Sequence, residues 1–354
     1  MNEDKNILVI GTGLIGTSIA LGLTAQGLKV FLSDIDSGAL DNALKVSGAT
    51  KYSDQEIAVV FVATPPASVA KVIATAAVDH PDAVITDVAS VKGSIFRELE
   101  QLGTSGWDRI VGGHPMAGRE VSGAIGAQGN LFLDRPWVIA TSGLTSADSI
   151  ATVKTLVESL GAFPVIRSIE EHDRAVALIS HTPQVVASVL AGELMDAESS
   201  YIELAGQGIR DTIRIAGSDS NLWTEILSDN SHFISQQLTQ VATHLLDFAS
   251  ALEAGNRESV SAKLVKGNQG RDRLPGKHGT SQQSTAVLAV RLDDKPGELA
   301  RLFTVAAQAN VNLEDVRIDH SLGHPTGLVE LTLAPSSVSV LKPALEIEGF
   351  VVIS

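Results

Sequence analysis

The stretch ILVIGTGLIGTSIALGL, residues 7–23, decides the fold of the N-terminal half of this chain. An apolar run leads into Gly11, Gly13 and Gly16, which are spaced G-x-G-x-x-G and open a helical pattern. The first glycine permits a tight turn, the second lets a pyrophosphate approach the backbone, and the third lets the helix pack on a sheet. The alternative is a tight turn that binds nothing. The strand–turn–helix context favours a dinucleotide-binding turn, which also includes Leu14 and Ile15.

Polar residues follow three of the predicted strands. The run KVFLSD ends at Asp34, where a carboxylate can accept hydrogen bonds from both adenosine ribose hydroxyls and would repel a 2′-phosphate. The sequence therefore predicts NAD rather than NADP as the cofactor. Ligands of open α/β sheets bind outside the carboxyl ends of strands, so Thr64 and Pro65 are expected beside the nicotinamide half. Ser90 follows the next strand and is interpreted as a functional residue, with a helix N-cap as the alternative.

Four regions follow one another along the chain. Residues 1–167 alternate seven Val- and Ile-rich runs with helical stretches, which predicts an α/β fold with a Rossmann-type doubly wound sheet. Residues 168–266 carry apolar residues at helical spacing, including one predicted helix from Asn221 to Ala254, and favour an all-helical dimerisation domain over a self-contained bundle. Residues 267–284 are predicted to be a linker. Residues 285–354 follow the order βαββαβ, the ferredoxin-like arrangement.

Composition excludes several classes of function. The 354 residues include 41 acidic and 26 basic side chains, a formal net charge of −15, which argues against a nucleic-acid partner. The absence of cysteine excludes disulfides, a thiolate nucleophile and cysteine-ligated metal, and the spacing of the nine histidines suggests no metal site. The first strand begins by about residue 6, and the longest apolar run is far too short to cross a bilayer. A cytoplasmic protein without a membrane partner is expected.

Histidine and arginine residues supply the candidate chemistry. His114 lies in GGHPMAGRE, directly after a short strand. A histidine that accepts a proton from a substrate hydroxyl while hydride leaves the carbon is the usual dehydrogenase pairing, whereas bracing the Gly-rich loop is the alternative. Arg210 and Arg214 are spaced i, i+4 and could bind a carboxylate substrate in two parallel hydrogen bonds, or form salt bridges instead. The motif ISHTPQ adds His181 and Gln184.

These motifs together resemble a known family. GTGLIGTS, DVASVKGS, GGHPMAG, ISHTPQ and RDTIRIAGSDSNLW, in this order, look like the prephenate dehydrogenase family of tyrosine biosynthesis, over essentially the first 265 residues. The last 70 residues resemble an ACT domain, whose ligand-side loop is matched by DDKPGEL with Gly297. The resemblance implies oxidative decarboxylation of prephenate with hydride transfer to NAD, in a homodimer. It also implies an amino-acid effector, with tyrosine expected as the feedback inhibitor.

The resemblance also implies roles for single residues. His114 would take the proton of the ring hydroxyl, and Ser90 would hydrogen-bond to the same group. Arg214 would hold a substrate carboxylate, His181 would line the pocket, and Trp223 would lie near it, contributed by the partner subunit.

Two departures from the family pattern leave questions open. Gln184 stands where prephenate-specific members often have a second histidine, so prephenate and arogenate both remain candidate substrates. Arg119 stands where threonine is common and could bind a substrate carboxylate, bind a cofactor phosphate or face solvent.

Two other functions remain open. A non-catalytic sensor of NAD and an amino acid has no use for a histidine near the nicotinamide. A β-hydroxyacid dehydrogenase is expected to use a lysine base, and residues 170–220 contain none.

Overall fold

The computed structural model describes residues 6–117, 123–274, 285–293, 295–320 and 326–353. The chain divides into two compact units, residues 1–242 and 243–354.

The first unit is built on an eight-stranded sheet. Its strands are β1 (Ile7–Ile10), β2 (Val30–Ser33), β3 (Thr50–Lys51), β4 (Val59–Val62), β5 (Val84–Asp87), β6 (Ile110–Pro115), β7 (Pro136–Thr141) and β8 (Phe163–Ser168). They lie in the order β3-β2-β1-β4-β5-β6-β7-β8. Neighbouring strands are parallel except for β6 and β7, which pair antiparallel. The seven predicted strands are confirmed, and β3 is an additional short strand that was not predicted.

Five helices cover this sheet: α1 (Leu14–Ala25), α2 (Ser37–Ser47), α3 (Pro66–Asp79), α4 (Gly93–Gln101) and α5 (Ala147–Ser159). Alternate residues of β4 point to opposite faces. Phe61 belongs to one buried cluster together with Trp137 and Ile19, and Val60 belongs to the other together with Ile73. Two cores on one sheet confirm the doubly wound architecture.

A run of helices follows β8. Its members are α6 (Ile169–Val176), a π-helical turn (Ala177–His181), α7 (Thr182–Glu193), α8 (Ser199–Ile202), α9 (Gln207–Ile213), a 3-10 turn (Arg214–Gly217), α10 (Ser220–Asp229), α11 (Ser231–Glu253) and α12 (Arg257–Asp272). The single helix predicted from Asn221 to Ala254 is wrong, because the chain breaks at Asn230. The predicted linker is also shorter than expected, since α12 continues to Asp272; residues 275–284 lie outside the described part.

The continuous helical stretch Ile169–Glu193 is long and apolar enough to cross a membrane by length and composition alone. Its buried positions include His172, Asp173 and His181, which hydrogen-bond to other parts of the first unit. Buried ionisable groups of this kind argue against a membrane span, because intramembrane charged groups are costly.

The second unit contains a four-stranded antiparallel sheet. Its elements are β9 (Ala286–Asp293), α13 (Glu298–Gln308), β10 (Asp315–His320), β11 (Thr326–Leu333), α14 (Pro335–Ile347) and β12 (Val351–Ile353). The strands lie in the order β10-β11-β9-β12, which confirms the predicted βαββαβ arrangement. Its core includes Val290, Leu302 and Leu341, all fully buried.

Candidate active site

The glycine-rich turn has the geometry of a dinucleotide cradle. Gly11 has a φ of 98°, and a Cβ there would lie 2.5 Å from the Ala63 carbonyl oxygen. A Cβ at Gly16 would lie 2.0 Å from the Gly11 oxygen. The turn between β1 and α1 can therefore be this tight only with glycine at both positions. Gly13, the N-cap of α1, faces open space, and no side chain caps the helix. The free first-turn N–H groups, including those of Leu14 and Ile15, can therefore receive a pyrophosphate.

Asp34 is held against this turn by Thr12. Its Oδ2 accepts hydrogen bonds from the Thr12 N–H at 2.6 Å and the Thr12 hydroxyl at 2.7 Å, and its Oδ1 accepts from the Asp36 N–H at 2.9 Å. Burial alone would raise the pKa of Asp34, but these hydrogen bonds outweigh it and lower the pKa below its usual value. A fixed carboxylate at this position suits a ribose with free hydroxyls.

The other predicted cofactor and substrate residues lie at the same sheet edge. The Thr64 hydroxyl, after β4, is a buried oxygen without a hydrogen-bond partner among the described residues, and Pro65 is the N-cap of α3. Ser90 follows β5 and makes no side-chain hydrogen bond within the described ranges. The N-cap alternative for Ser90 is wrong, because α4 is capped at Lys92.

A buried ion pair fixes the backbone that carries His114. The Lys92 ammonium is fully buried, contacts the Asp87 carboxylate, and donates to the Gly113 carbonyl at 2.8 Å. Asp87 in turn accepts from the Gly113 N–H at 3.2 Å. A Cβ at Gly113 would lie 2.2 Å from the Asp87 carbonyl oxygen, so only glycine allows this approach of β5 to β6. The residue just before His114 is thereby held at both its N–H and its carbonyl.

His114 is the first of three side chains joined by hydrogen bonds. The sequence predicted His114, but not the other two, His172 and Asp173. Its Nδ1 lies 2.9 Å from Nε2 of His172, whose Nδ1 lies 2.8 Å from the Asp173 carboxylate. Asp173 also accepts from the backbone N–H groups of Lys92 at 2.9 Å and Gly93 at 2.7 Å. The carboxylate thus joins α6 to the start of α4.

The hydrogen bonds assign the protons of this chain. Burial would raise the pKa of Asp173, but hydrogen bonds from His172, Lys92 and Gly93 lower it, so the carboxylate only accepts. Nδ1 of His172 must then donate, and a His172 ring that holds this single proton accepts at Nε2 from the Nδ1–H of His114. Nε2 of His114 is left with its lone pair.

Electrostatics agree with this assignment. Burial, followed by the electrostatic repulsion that a protonated His114 would meet from His172, Lys92 and His181, lowers the pKa of His114 well below its usual value. His114 is therefore neutral at neutral pH and can act as a base through Nε2.

The second predicted histidine lies in the same cluster. His181 is buried at the end of the π-helical turn, its Nδ1 is 3.2 Å from the Asn230 amide nitrogen, and its ring meets Trp223 edge-on at a centroid distance of 6.0 Å. This Trp223 belongs to the same chain. Burial lowers the pKa of His181 to about 4, with Asp173 opposing and His172 assisting.

Gln184 and the arginines lie beyond His181. Gln184 is buried, and its amide nitrogen donates to the Ile215 carbonyl at 3.0 Å, which ties α7 to the turn that begins at Arg214. Arg210 and Arg214 are exposed, and Arg210 lies on α9. Gly297 caps α13 in the second unit, and Arg119 lies outside the described residues.

The residues that support the two histidines were not predicted from the sequence. His172 and Asp173 read EEHDRA at the start of a surface-like helix, and Asn230 lies inside an apparently continuous helical pattern. The adjacent His–Asp pair was the available signal, but its contact with His114 joins residues 58 apart in the sequence. Periodicity carries no information about such a contact.

Known proteins match both the nucleotide-binding region and the helical region of this chain. A family model described as the nucleotide-binding domain of prephenate dehydrogenase matches residues 19–166, and one described as its dimerization domain matches residues 168–266. A probable prephenate dehydrogenase, NovF, from Streptomyces niveus is 34% identical over 94% of each chain. The prephenate dehydrogenase of Bacillus subtilis is 28% identical over 94% of this chain and 93% of its own.

Solved structures of two such dehydrogenases are similar to this chain. The prephenate dehydrogenase of Aquifex aeolicus, in complex with hydroxyphenyl propionate and NAD+, is 25% identical with a TM-score of 0.69, covering 75% of this chain and 97% of that one. The arogenate dehydrogenase of Synechocystis is 28% identical with a TM-score of 0.68, covering 76% and 99%.

Proposed function

Because this chain belongs to the prephenate dehydrogenase family, we propose that it converts prephenate to 4-hydroxyphenylpyruvate by oxidative decarboxylation, with hydride transfer to NAD. The observation that carries the proposal is the His114–His172–Asp173 chain, which leaves Nε2 of His114 as a base at the carboxyl edge of the sheet. This edge also carries the glycine turn and Asp34, where NAD fits.

His114 moves one proton in the reaction. Nε2 takes the proton of the ring hydroxyl as hydride leaves the ring carbon, so that the carbon–oxygen bond becomes a carbonyl. The bond to the ring carboxylate then breaks, CO2 leaves, and the electron pair enters the ring. The same nitrogen returns the proton to the oxygen, which becomes a phenol. NAD supplies the hydride acceptor, and aromatisation supplies the driving force.

His172 and Asp173 stabilise the protonated base. When Nε2 of His114 holds the substrate proton, the proton shared between the two imidazoles can shift to His172, placing the positive charge beside the Asp173 carboxylate. The pair acts in the manner of the carboxylate that orients and stabilises a catalytic histidine. No bulk water is needed for this step.

Substrate orientation is assigned to residues around the histidines. We propose that Ser90, whose hydroxyl has no bond within the described ranges, contacts the ring hydroxyl, and that Arg214 holds the side-chain carboxylate. Trp223 and His181 would wall the pocket. The helical region matches a dimerization domain, so the working enzyme is a homodimer, and we place it in the cytoplasm.

Arogenate is a second candidate because of Gln184. Its nitrogen is committed to the Ile215 carbonyl, which leaves Oε1 as a neutral acceptor that suits an ammonium group. Gln184→His should shift the ratio of kcat/KM for prephenate over arogenate upward by about tenfold, the value of one hydrogen bond to a charged group. A ratio unchanged by Gln184→His would remove the residue from substrate selection. Gln101→His, at the exposed last residue of α4, is the matched control.

The direct test is the initial rate of nicotinamide reduction with prephenate or arogenate, each with NAD or NADP. Turnover of prephenate with NAD is the expected result. No turnover in any of the four combinations, in folded protein that binds NAD, would support the sensor instead. His114→Asn should lower kcat by about 10²–10⁴-fold with little loss of NAD binding, whereas a sensor would retain its ligand binding and output.

The C-terminal unit is proposed to regulate the enzyme. Its βαββαβ order and the left-handed Gly297, with a φ of 94°, support an ACT-like module that binds an amino acid near this loop. Tyrosine, the end product, is the expected effector. This proposal is independent of the catalytic one.

A further inference from the structure

A single buried residue separates two helices of the first unit. Asn230 is 3% exposed and lies between the end of α10 and the start of α11, where the sequence pattern alone is that of one helix. A polar side chain buried at a helix break must find hydrogen-bond partners, because leaving its amide unpaired would cost free energy. Asn230 has two such partners.

The partners also settle the orientation of the amide. The Asn230 side chain lies 2.8 Å from the Asp173 carbonyl oxygen, and a carbonyl can only accept, so the group facing it is the NH2. The same nitrogen lies 3.2 Å from Nδ1 of His181. Since its second hydrogen points at a ring nitrogen, Nδ1 of His181 must carry the lone pair. The proton of the neutral ring then resides on Nε2.

We propose that Asn230 is a positioning residue that holds His181 as the neutral Nε2–H tautomer, so that His181 offers a hydrogen-bond donor to an oxygen of the substrate. Nε2 has no hydrogen-bond partner among the described residues, and the ring is oriented on one side by Trp223. The role in substrate binding rests on the proposed function; the tautomer does not.

This assignment links the proton positions of His114 and His181. The carbonyl that orients Asn230 belongs to Asp173, whose carboxylate orients His172 and, through it, His114. One residue of α6 thus fixes the proton positions of His114 through its side chain and of His181 through its backbone. His114 is left with an acceptor and His181 with a donor, which is a complementary pair for a hydroxyl and an oxygen acceptor of one ligand. The low pKa of His181, about 4, agrees with a neutral ring.

The test is the tautomeric state of His181 in the full-length protein. In 15N-histidine spectra at neutral pH, the signal that disappears in His181→Gln identifies the residue. Wild type should show a protonated Nε2 and an unprotonated Nδ1. Asn230→Asp places an acceptor opposite Nδ1 and should invert the pattern to Nδ1–H. Asn221→Asp, the same chemical change at an exposed position of α10, should leave the wild-type pattern.

Activity is the second readout. Asn230→Asp should lower kcat/KM for the substrate by about tenfold or more, the value of one lost hydrogen bond plus a mismatched donor, while NAD binding stays unchanged. A wild-type ring that is protonated on Nδ1, or a pattern unaltered in Asn230→Asp, would overturn the proposal even if Asn230→Asp were poorly active. Inversion of the tautomer without any turnover by wild type would instead leave the assignment standing and remove the proposed function.

Discussion

At the scale of single residues, the site depends on which nitrogen carries a proton. Asp173 fixes this for His172, His172 for His114, and Asn230 for His181. Each assignment starts from a group that can only accept, a carboxylate or a backbone carbonyl. None of these proton assignments could be made from the sequence. His114 and His181 could be identified from their motifs, but their hydrogen-bond partners could not.

His172→Gln tests the chain through kcat. In the proposed step the proton of His114 is shared with His172, which places the positive charge beside Asp173. Glutamine keeps a hydrogen-bonding group at this position but cannot take up that proton, so kcat should fall by about tenfold or more, while NAD binding stays unchanged. His232→Gln, an exposed histidine on α11, is the control. A kcat that stays at the wild-type value would mean that His172 does not act on His114.

Asp34→Ser tests cofactor choice. Thr12 and Asp36 hold the carboxylate at the glycine turn, so its charge should repel a 2′-phosphate as well as bind the ribose. The ratio of kcat/KM with NAD over NADP should fall by about 10–100-fold, the value of a charge-assisted hydrogen bond. Asp36→Ser keeps an N-cap residue on α2 and should leave the ratio unchanged. If Asp34→Ser leaves it unchanged as well, another residue selects the cofactor.

At the scale of elements, the strands were predictable and their directions were not. Seven apolar runs gave seven strands because burial on both faces imposes continuous hydrophobicity. Strand β3 has two exposed residues and no such signal, and the antiparallel β6–β7 pair depends on connections rather than on composition. The break at Asn230 was missed for a related reason. The apolar spacing continues across it, while Asn230 at the break contacts Asp173, 57 residues earlier.

The helical stretch of residues 169–193 should make stability depend on pH through His181. The folded pKa is about 4, whereas an unfolded histidine titrates near 6.5, so in this window the unfolded state binds a proton that the folded state does not. Stability should therefore be full above pH 6.5 and fall as the pH drops toward 4. In His181→Gln, the midpoint of urea unfolding should change less between pH 7 and 4.5 than in wild type. His244→Gln, which removes an exposed histidine, should behave like wild type. Equal slopes in all three would show that His181 is not buried as a neutral ring.

At the scale of the whole molecule, the two units have separate cores. The C-terminal sheet buries its own cluster, which includes Leu292, Val329 and Leu345, and every member of that cluster lies within residues 288–350. The catalytic candidates His114, His172 and Asp173 lie in residues 1–242. The polar stretch after residue 266 predicted a boundary there, whereas the two compact units divide at residue 242, inside α11. A module with a self-contained core can be removed without opening the core of the other unit.

Deletion of residues 284–354 therefore tests whether the proposed regulation is separable from the proposed catalysis. We expect the truncated enzyme to keep its kcat/KM for prephenate within about threefold, since no proposed catalytic residue is lost, and to lose inhibition by tyrosine. In the full chain, a coupling of this kind is reciprocal: substrate must weaken tyrosine binding by the same factor by which tyrosine weakens substrate binding. Calorimetric titration of tyrosine, with and without a saturating substrate analogue, measures that factor. Retention of equal tyrosine sensitivity after truncation would place the inhibitor in the active site, because a ring hydroxyl and a carboxylate are the groups that His114 and Arg214 are proposed to bind.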